Sequence, residues 1–176
     1  MNETIIKPAV IILTGASGAG KTTLLLELAR MDFEGVECIN CDRVKVETPV
    51  SAEPVDNQVE ILKYWLTEIN DKQIEVAVLD TQIRPHRAEE TLRQMGVMKS
   101  AIILVDCDPV KRNARLRDER GQPELATAQM DCWAAYLRGQ ADAMGLQIID
   151  TSDDDIGKSL DSIIWCVRKM QSRKNV

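Results

Sequence analysis

The sequence lacks the features that membrane, secreted and nucleic-acid-binding proteins usually show. Its longest apolar run near the start, residues 9–13, is far shorter than the ~20 residues that cross a bilayer. The first seven residues alternate polar and apolar side chains and do not predict a secretory signal. Five cysteines, an odd number, favour reduced thiols over a disulfide framework. A net charge of −6 disfavours nucleic-acid binding. We therefore expect a cytoplasmic protein without membrane contacts.

Glycine is also scarce, and its distribution is uneven. Three of the nine glycines lie between residues 15 and 20. The apolar, β-branched run just before them is typical of a strand buried on both faces. Just after them, leucines at positions 24, 25 and 28, with no helix breaker, predict a helix over residues 21–31.

The same alternation of strand and helix signals continues along the chain. We expect further strands over residues 36–40, 76–79, 101–105 and 146–149 and further helices over residues 55–69, 87–95, 109–120, 127–144 and 155–170. Strands that alternate with helices predict an α/β fold with a parallel sheet covered on both faces. The length of 176 residues and the absence of a linker predict a single domain over residues 1–176.

The glycine-rich segment fits the phosphate-binding pattern G-x-x-x-x-G-K-[ST]. It consists of Gly15, Ala16, Ser17, Gly18, Ala19, Gly20, Lys21 and Thr22. Glycines let the backbone approach phosphate oxygens, and the backbone N–H groups at the start of a helix attract the anion. Lys21 adds a positive charge for the phosphates, and the Thr22 hydroxyl is a candidate Mg²⁺ ligand. We include the adjacent Thr23 among the nucleotide-binding candidates.

With this motif between a predicted strand and a predicted helix, the chain resembles the small P-loop kinases, a group that includes shikimate, gluconate, adenylate and chloramphenicol kinases. The resemblance implies a three-layer P-loop NTPase sandwich with sheet order 2-3-1-4-5 and an arginine-bearing lid, at about residues 109–127. It also implies ATP and Mg²⁺ as cofactors and a small-molecule hydroxyl as phosphate acceptor. The Asn-Lys-x-Asp motif of GTPases and the Leu-Ser-Gly-Gly-Gln motif of transporter ATPases are missing from the sequence.

Two carboxylates follow predicted strands. Asp80 ends the run at residues 76–79, which resembles a Walker B strand and predicts a Mg²⁺ ligand. By resemblance, Asp42 faces the acceptor hydroxyl and accepts its proton, although an aspartate that caps a turn is the alternative. Gln82 and Arg84 are substrate-binding candidates, since Arg84 suits an anionic acceptor, and solvated loop side chains are the alternative for both.

The predicted helix over residues 109–120 is basic in an otherwise acidic protein. It carries Lys111, Arg112, Arg115, Arg117 and Arg120 against Asp118 and Glu119. The resemblance implies that Arg112 stacks on adenine and that Arg120 contacts the transferred phosphoryl group as a catalytic residue beside Lys21 and Asp42. A solvated basic face is the alternative.

The aromatic pair Trp133 and Tyr136, three residues apart on a predicted helix, is interpreted as packing, and a stacking platform is the alternative.

The reaction itself has more than one interpretation. The best one is an ATP-dependent phosphotransferase acting on a small-molecule hydroxyl. A P-loop nucleotide-binding switch or regulatory ATPase, with water as the acceptor, remains a rival. A polynucleotide 5′-hydroxyl kinase is disfavoured by the negative charge. The sequence leaves open whether ATP or GTP is the donor and whether the protein is a monomer or a homodimer.

Overall fold

A parallel sheet forms the centre of the molecule. The computed structural model describes residues 6–43, 57–153 and 155–171. Its strands are β1 (Ala9–Thr14), β2 (Val36–Asn40), β3 (Val76–Asp80), β4 (Ser100–Asp106) and β5 (Gln147–Asp150). They pair in the order β2-β3-β1-β4-β5, and every neighbouring pair is parallel. The predicted fold class and strand order are therefore confirmed.

Helices cover both faces of the sheet because the central strands are apolar on both sides. The α-helices are α1 (Lys21–Arg30), α2 (Asn57–Asn70), α3 (Pro85–Gln94), α4 (Pro109–Ala114), α5 (Ala128–Ala143) and α6 (Ile156–Gln171). One hydrophobic cluster joins leucines of α1 and apolar residues of α6 to β1, β3 and β4. A second joins α2 and α3 to the opposite face, and a smaller third packs α5 on β4. The central strands β1 and β3 are completely buried.

The register brings the carboxyl ends of the strands together at one edge of the sheet. Leu13 of β1 and Asn40 of β2 are both paired with Asp80, the last residue of β3. The loop after β1, the turn after β2 and the loop after β3 therefore meet at this edge. Ligands of open parallel sheets bind at the carboxyl ends of their strands.

The region predicted as one helix over residues 109–120 is divided in the structure. Asp108 caps α4 by accepting hydrogen bonds from the backbone N–H groups of Val110 and Lys111. From Arg115 the chain forms a π-helical turn, in which the Arg120 N–H donates to the Arg115 carbonyl at 3.0 Å. A π turn spans five residues per hydrogen bond, so it changes the direction in which successive side chains point. A short 3₁₀ turn at Pro123–Leu125 then leads to α5.

None of the helices within the described residues combines the length and the apolar character needed to cross a membrane.

Candidate functional site: a phosphate loop beside two carboxylates

The phosphate loop connects β1 to α1, and two of its positions have no room for a side chain. At Gly15, φ is +153° and a Cβ atom would lie 2.1 Å from the Val105 carbonyl oxygen. At Gly18, φ is +81° and a Cβ atom would lie 2.9 Å from Cγ of Leu116. Helix α1 begins directly after the loop, so its unpaired first-turn N–H groups border the loop.

The remaining loop residues are small and largely covered. Ala16 and Ala19 are buried, and Ser17 is half-buried. Thr23, at the start of α1, is exposed. Small side chains at these positions leave the backbone of the loop as its main polar surface.

Lys21 is a buried cation that folds back over the loop. Its Nζ donates to the carbonyl oxygens of Gly15, at 2.8 Å, and of Ala16, at 3.2 Å. Burial lowers the pKa of Lys21, an effect partly offset by the negative charges of Asp80 and Asp42. An ammonium group that has lost its water shell gains strongly from an anion placed beside it. Lys21 is therefore suited to binding phosphate.

Thr22 and Asp80 form a pair between the start of α1 and the end of β3. The Thr22 hydroxyl donates to Oδ2 of Asp80 at 2.7 Å, and Asp80 is 2% exposed. Burial raises the pKa of Asp80, while the charge of Lys21 and the hydrogen bond from Thr22 lower it. A buried carboxylate next to a hydroxyl supplies two of the oxygen ligands that Mg²⁺ prefers, the others commonly coming from water and phosphates. The donor set therefore fits this ion.

Asp42 lies in a 3₁₀ turn, Cys41–Arg43, that follows β2 directly. Its backbone N–H donates to Oδ1 of Asn40 at 3.0 Å, and Nε2 of Gln82 donates to its Oδ2 at 3.3 Å. Its negative charge acts on the pKa values of both Lys21 and Asp80. The structure thus brings Asp42, Gln82, Asp80 and Lys21 to one place. Residues 44–56, which follow this turn, lie outside the described part of the chain.

A cavity of about 320 Å³, the loop cavity, opens beside the phosphate loop. Its walls come from the loop and α1, from the end of the π turn and from the segment after β5. It is lined by Gly18, Gly20, Lys21, Thr22, Thr23, Leu24, Leu26, Arg115, Glu119, Arg120, Thr151, Asp155, Ile156 and Ser159. Arg120 therefore lines the same cavity as Lys21, and its positive charge lowers the pKa values of Lys21 and Asp80.

Arg112, expected to stack on adenine, does not reach this cavity. It is 1% exposed, and its guanidinium forms an ion pair with Asp131 of α5 and donates to the Cys107 carbonyl at 3.3 Å. Its side chain also packs beneath Gly18, since a Cβ atom there would lie 3.0 Å from Cγ of Arg112. The expected contact with a base is thus corrected to a buried link between the loop, α4 and α5.

Arg115, one turn further along, lines the loop cavity. It donates to Thr151 twice, from Nη2 to the carbonyl at 2.6 Å and from Nη1 to Oγ1 at 2.9 Å. Thr151 in turn donates to the Ala19 carbonyl at 2.8 Å. This chain of contacts connects the phosphate loop to the segment after β5.

Arg84 lies at the start of α3, with its guanidinium 5.8 Å from the centre of the Trp133 ring. It faces a second cavity, which we call the ring cavity, of about 630 Å³. The ring cavity is lined by Arg84, Glu124, Leu125, Thr127, Gln129, Met130, Cys132, Trp133 and Tyr136. Trp133 and Tyr136, expected to pack, therefore also form part of a cavity wall.

Comparisons with known proteins agree with this arrangement. A family model described as an AAA domain matches residues 11–132, which include the phosphate loop, Asp80 and the π turn. The chain belongs to this AAA-domain family. The comparison with curated proteins gives no match.

Solved structures with the same fold as this AAA-domain chain include several small-molecule kinases. A shikimate kinase from Acinetobacter baumannii, in complex with shikimate, is 16% identical with a TM-score of 0.54, and the match covers 97% of each chain. A gluconokinase from Sinorhizobium meliloti is 12% identical with a TM-score of 0.59, covering 96% of this chain and 99% of its own. An APS kinase from Mycobacterium tuberculosis, in complex with AMPPNP and APS, is 14% identical with a TM-score of 0.57, covering 92% and 98%. The expected resemblance is confirmed at the level of fold.

Sequence reasoning missed Arg115 as part of the site, although it was visible within the basic helix. A regular helix would place Arg112 and Arg115 on nearly the same face, so spacing alone does not choose between them. The burial of Arg112 against Asp131 and Gly18 makes that choice, and it has no sequence signal.

Proposed function

We propose that the chain transfers the γ-phosphoryl group of ATP to a hydroxyl group of a small molecule. The observation that carries the proposal is that the two carboxylates at the ends of β2 and β3 have different partners. Asp80 is paired with Thr22 of the phosphate loop, whereas Asp42 contacts Gln82. A phosphotransferase needs one carboxylate for the metal and another for the acceptor. The kinase folds of the solved relatives support this interpretation.

In this proposal the loop and Lys21 bind the phosphates, and Thr22 with Asp80 holds Mg²⁺. When bound, Mg²⁺ neutralises negative charge on the phosphate oxygens. Lys21 exchanges its two carbonyl partners for phosphate oxygens, and the buried position makes that exchange favourable. Arg115 replaces Arg112 as the arginine beside the nucleotide, since it lines the loop cavity.

Asp42 orients the acceptor hydroxyl in the proposed transfer. The hydroxyl oxygen forms a bond to the γ-phosphorus while the bond between that phosphorus and the bridging oxygen of ADP breaks. The hydroxyl proton passes to the Asp42 carboxylate, and ADP leaves. Gln82 fixes the carboxylate from one side through its 3.3 Å hydrogen bond. Arg120 stabilises the negative charge that spreads over the moving phosphoryl group.

The test compares Asp42→Asn with Asp80→Asn in assays of ADP release with a panel of sugars, sugar acids, nucleosides and aminoglycosides. Loss of a general base costs about 10²–10⁴ in rate, so we expect Asp42→Asn to lower kcat by that amount with little effect on nucleotide affinity. Asp80→Asn raises the Mg²⁺ requirement instead. The matched control is Asp32→Asn, since Asp32 is exposed and lines neither cavity.

Two results would count against the proposal. If the kcat of Asp42→Asn stays within about threefold of wild type while Asp80→Asn is inactive, Asp42 is only a turn residue. ADP release that no acceptor stimulates would favour a nucleotide-binding switch with water as acceptor. We further propose that the whole chain acts as one kinase-like domain in the cytoplasm, with a lid at about residues 109–127.

A further inference from the structure

The ring cavity is separate from the loop cavity, and the proposed function does not yet use it. The two cavities share no lining residue among those the structure describes. Its volume of about 630 Å³ lies in the range of small-molecule sites. It is bounded by the start of α3, the Pro123–Leu125 turn and the first half of α5.

One wall of the ring cavity is a pair of fixed aromatic rings. Trp133 and Tyr136 stack with centroids 5.6 Å apart and planes inclined by 24°. The Tyr136 hydroxyl accepts a hydrogen bond from Nε2 of Gln140 at 2.7 Å, and the Gln140 amide also contacts Nδ1 of His86 on α3. Tyr136 is nevertheless 46% exposed. An oriented aromatic surface that remains open to solvent suits a flat ring stacked against it.

Arg84 supplies a positive charge to the same cavity. Its guanidinium lies over Trp133 at 5.8 Å, so its position is coupled to the aromatic wall. The planar guanidinium matches a carboxylate or phosphate with two parallel hydrogen bonds. Glu124, on the opposite turn, offers an acceptor for a hydroxyl or amino group of the ligand.

Two connections place the ring cavity beside the proposed transfer chemistry. Arg84 follows Gln82 by two residues, and Gln82 contacts Asp42. On the other side, the segment from Arg115 to Thr127 borders both cavities, with Arg120 lining the loop cavity and Glu124 lining the ring cavity. A molecule in the ring cavity thus touches the same loop and the same segment that carry the proposed catalytic groups.

We infer that the ring cavity binds the phosphate acceptor, and that this acceptor is a flat-ring compound with a carboxylate or phosphate group besides its hydroxyl. The inference rests on the proposed function. Trp133 and Tyr136 select the ring, Arg84 selects the anion, and Asp42 receives the hydroxyl.

Matched probes separate these contributions. The ring acids are 3- and 4-(hydroxymethyl)benzoate, and 4-(hydroxymethyl)phenyl phosphate tests the phosphate form. Benzyl alcohol lacks the anion, and glycolate lacks the ring. In ADP-release assays we expect wild type to use at least one ring anion with a KM about tenfold or more below those of benzyl alcohol and glycolate.

Variants of the cavity test the assignment of each residue. Arg84→Gln and Trp133→Leu should each raise the KM for the ring anion about tenfold, with kcat and MgATP affinity within about threefold. Arg84→Gln should raise the KM for benzyl alcohol less than that for the ring anion. Trp133→Leu should raise the KM for glycolate less than that for the ring anion, because glycolate loses only the ring partner that positions Arg84. The matched controls are Arg93→Gln, an exposed arginine on α3, and Trp165→Leu, a tryptophan on α6 that is 60% exposed. Neither control residue lines the loop cavity or the ring cavity.

Cys132 gives a readout that needs no turnover. It is exposed and lines the ring cavity, whereas the other four cysteines are buried or half-buried. Burial also raises the pKa of Cys38, the half-buried one, to about 11, which keeps its thiol protonated and slow to react. The ring anions should therefore slow the labelling of Cys132 by a thiol reagent, and benzyl alcohol and glycolate should do so less at equal concentration.

The outcomes distinguish the two proposals. If an acceptor stimulates ADP release but neither cavity variant changes its KM and no ring anion protects Cys132, the inference about the ring cavity is overturned while the kinase proposal stands. If ring anions protect Cys132 but no compound stimulates ADP release, the ligand class is supported and the kinase proposal fails, along with the role of that ligand as acceptor.

Discussion

At the scale of single residues, the site depends on charges that the fold holds away from water. Lys21 and Asp80 are both buried, and burial disfavours the charged form of each. Their mutual attraction offsets part of that cost, and an anion with its metal ion would offset more. If the chain binds MgATP as proposed, the bound ligand should stabilise such a site, and its residues should be sensitive reporters of nucleotide binding.

The most direct residue-scale prediction concerns Lys21. Lys21→Ala should abolish turnover and weaken MgATP binding about a hundredfold or more, because it removes the buried cation beside the phosphates. The fold should remain intact, since no packing cluster depends on the ammonium group. Calorimetric titration with MgATP measures the affinity. Lys63→Ala on α2, which removes a lysine paired with Glu60 outside the loop cavity, is the control. Wild-type-like binding by Lys21→Ala would contradict the nucleotide site.

The raised pKa of Asp80 should make the Mg²⁺ requirement of the protein depend on pH. Burial raises its pKa, so a proton competes with Mg²⁺ at a higher pH than it would at an ordinary aspartate of pKa about 3.9. The Mg²⁺ concentration needed for half-maximal activity should therefore rise as the pH falls through the raised pKa. In Asp80→Asn the requirement should be high at every pH, because no carboxylate titrates there. A Mg²⁺ requirement in wild type that stays constant on acidification would contradict a metal role for Asp80.

The lid region carries a prediction about which arginine acts on the phosphoryl group. Arg120 lines the loop cavity, whereas the exposed Arg117 in the same turn does not. Arg120→Gln should lower kcat by about 10³ if it stabilises the transition state, with a smaller change in nucleotide affinity. Arg117→Gln should leave both within about threefold. Equal effects of the two substitutions on kcat would contradict the assignment.

At the scale of elements, an ion pair between the buried Arg112 and the partly exposed Asp131 connects the parts that surround the phosphate loop. The Asp131 carboxylate on α5 accepts hydrogen bonds from Arg112 and Asn113 at the end of α4. Arg112 packs against Gly18 of the phosphate loop. The base of the predicted lid is therefore anchored to both the loop and α5.

Removing the Asp131 carboxylate from this ion pair should lower the free energy of unfolding. Asp131→Ala leaves the Arg112 charge buried without its carboxylate. Breaking a fully buried pair costs about 3–5 kcal/mol, and because the Asp131 side chain is 38% exposed we expect a loss of about 2 kcal/mol. For a chain of this length the unfolding midpoint should fall by roughly 4–8 °C. Asp142→Ala, which removes an exposed partner of Arg138 on the same helix, should cost less than about 1 kcal/mol. Chemical denaturation of the two variants gives the comparison, and equal stabilities would contradict the anchor.

The strands and most helices could be predicted because each has a local signal. The fully buried run of β1 is continuous in sequence, and the Asp108-Pro109 pair marks the start of α4 by a capping side chain and a fixed φ. The π turn could not be predicted, since it depends on which carbonyl each N–H reaches. The outcome at Arg112 and Arg115 follows from the packing of Arg112 against Asp131 of α5 and Gly18 of the phosphate loop. The open face of Tyr136 depends on contacts between helices far apart in sequence.

At the scale of the whole molecule, the loop cavity and the ring cavity are distinct, and one segment, residues 115–127, contributes to the walls of both. Residues 115–120 contribute to the wall of the loop cavity, and residues 124–127 contribute to the wall of the ring cavity. A phosphotransferase requires two substrates in adjacent sites, whereas a switch that hydrolyses its nucleotide needs one. The arrangement therefore favours transfer to an acceptor over transfer to water.

The balance between ADP and inorganic phosphate distinguishes transfer to an acceptor from transfer to water. Both products are measured in the same reaction with MgATP, first alone and then with the panel of acceptors that includes the ring anions. Transfer to an acceptor predicts that one class of compound raises ADP release without an equal rise in inorganic phosphate, and that Asp42→Asn removes this excess. Inorganic phosphate equal to ADP under every condition would contradict the account, because water would then be the only acceptor.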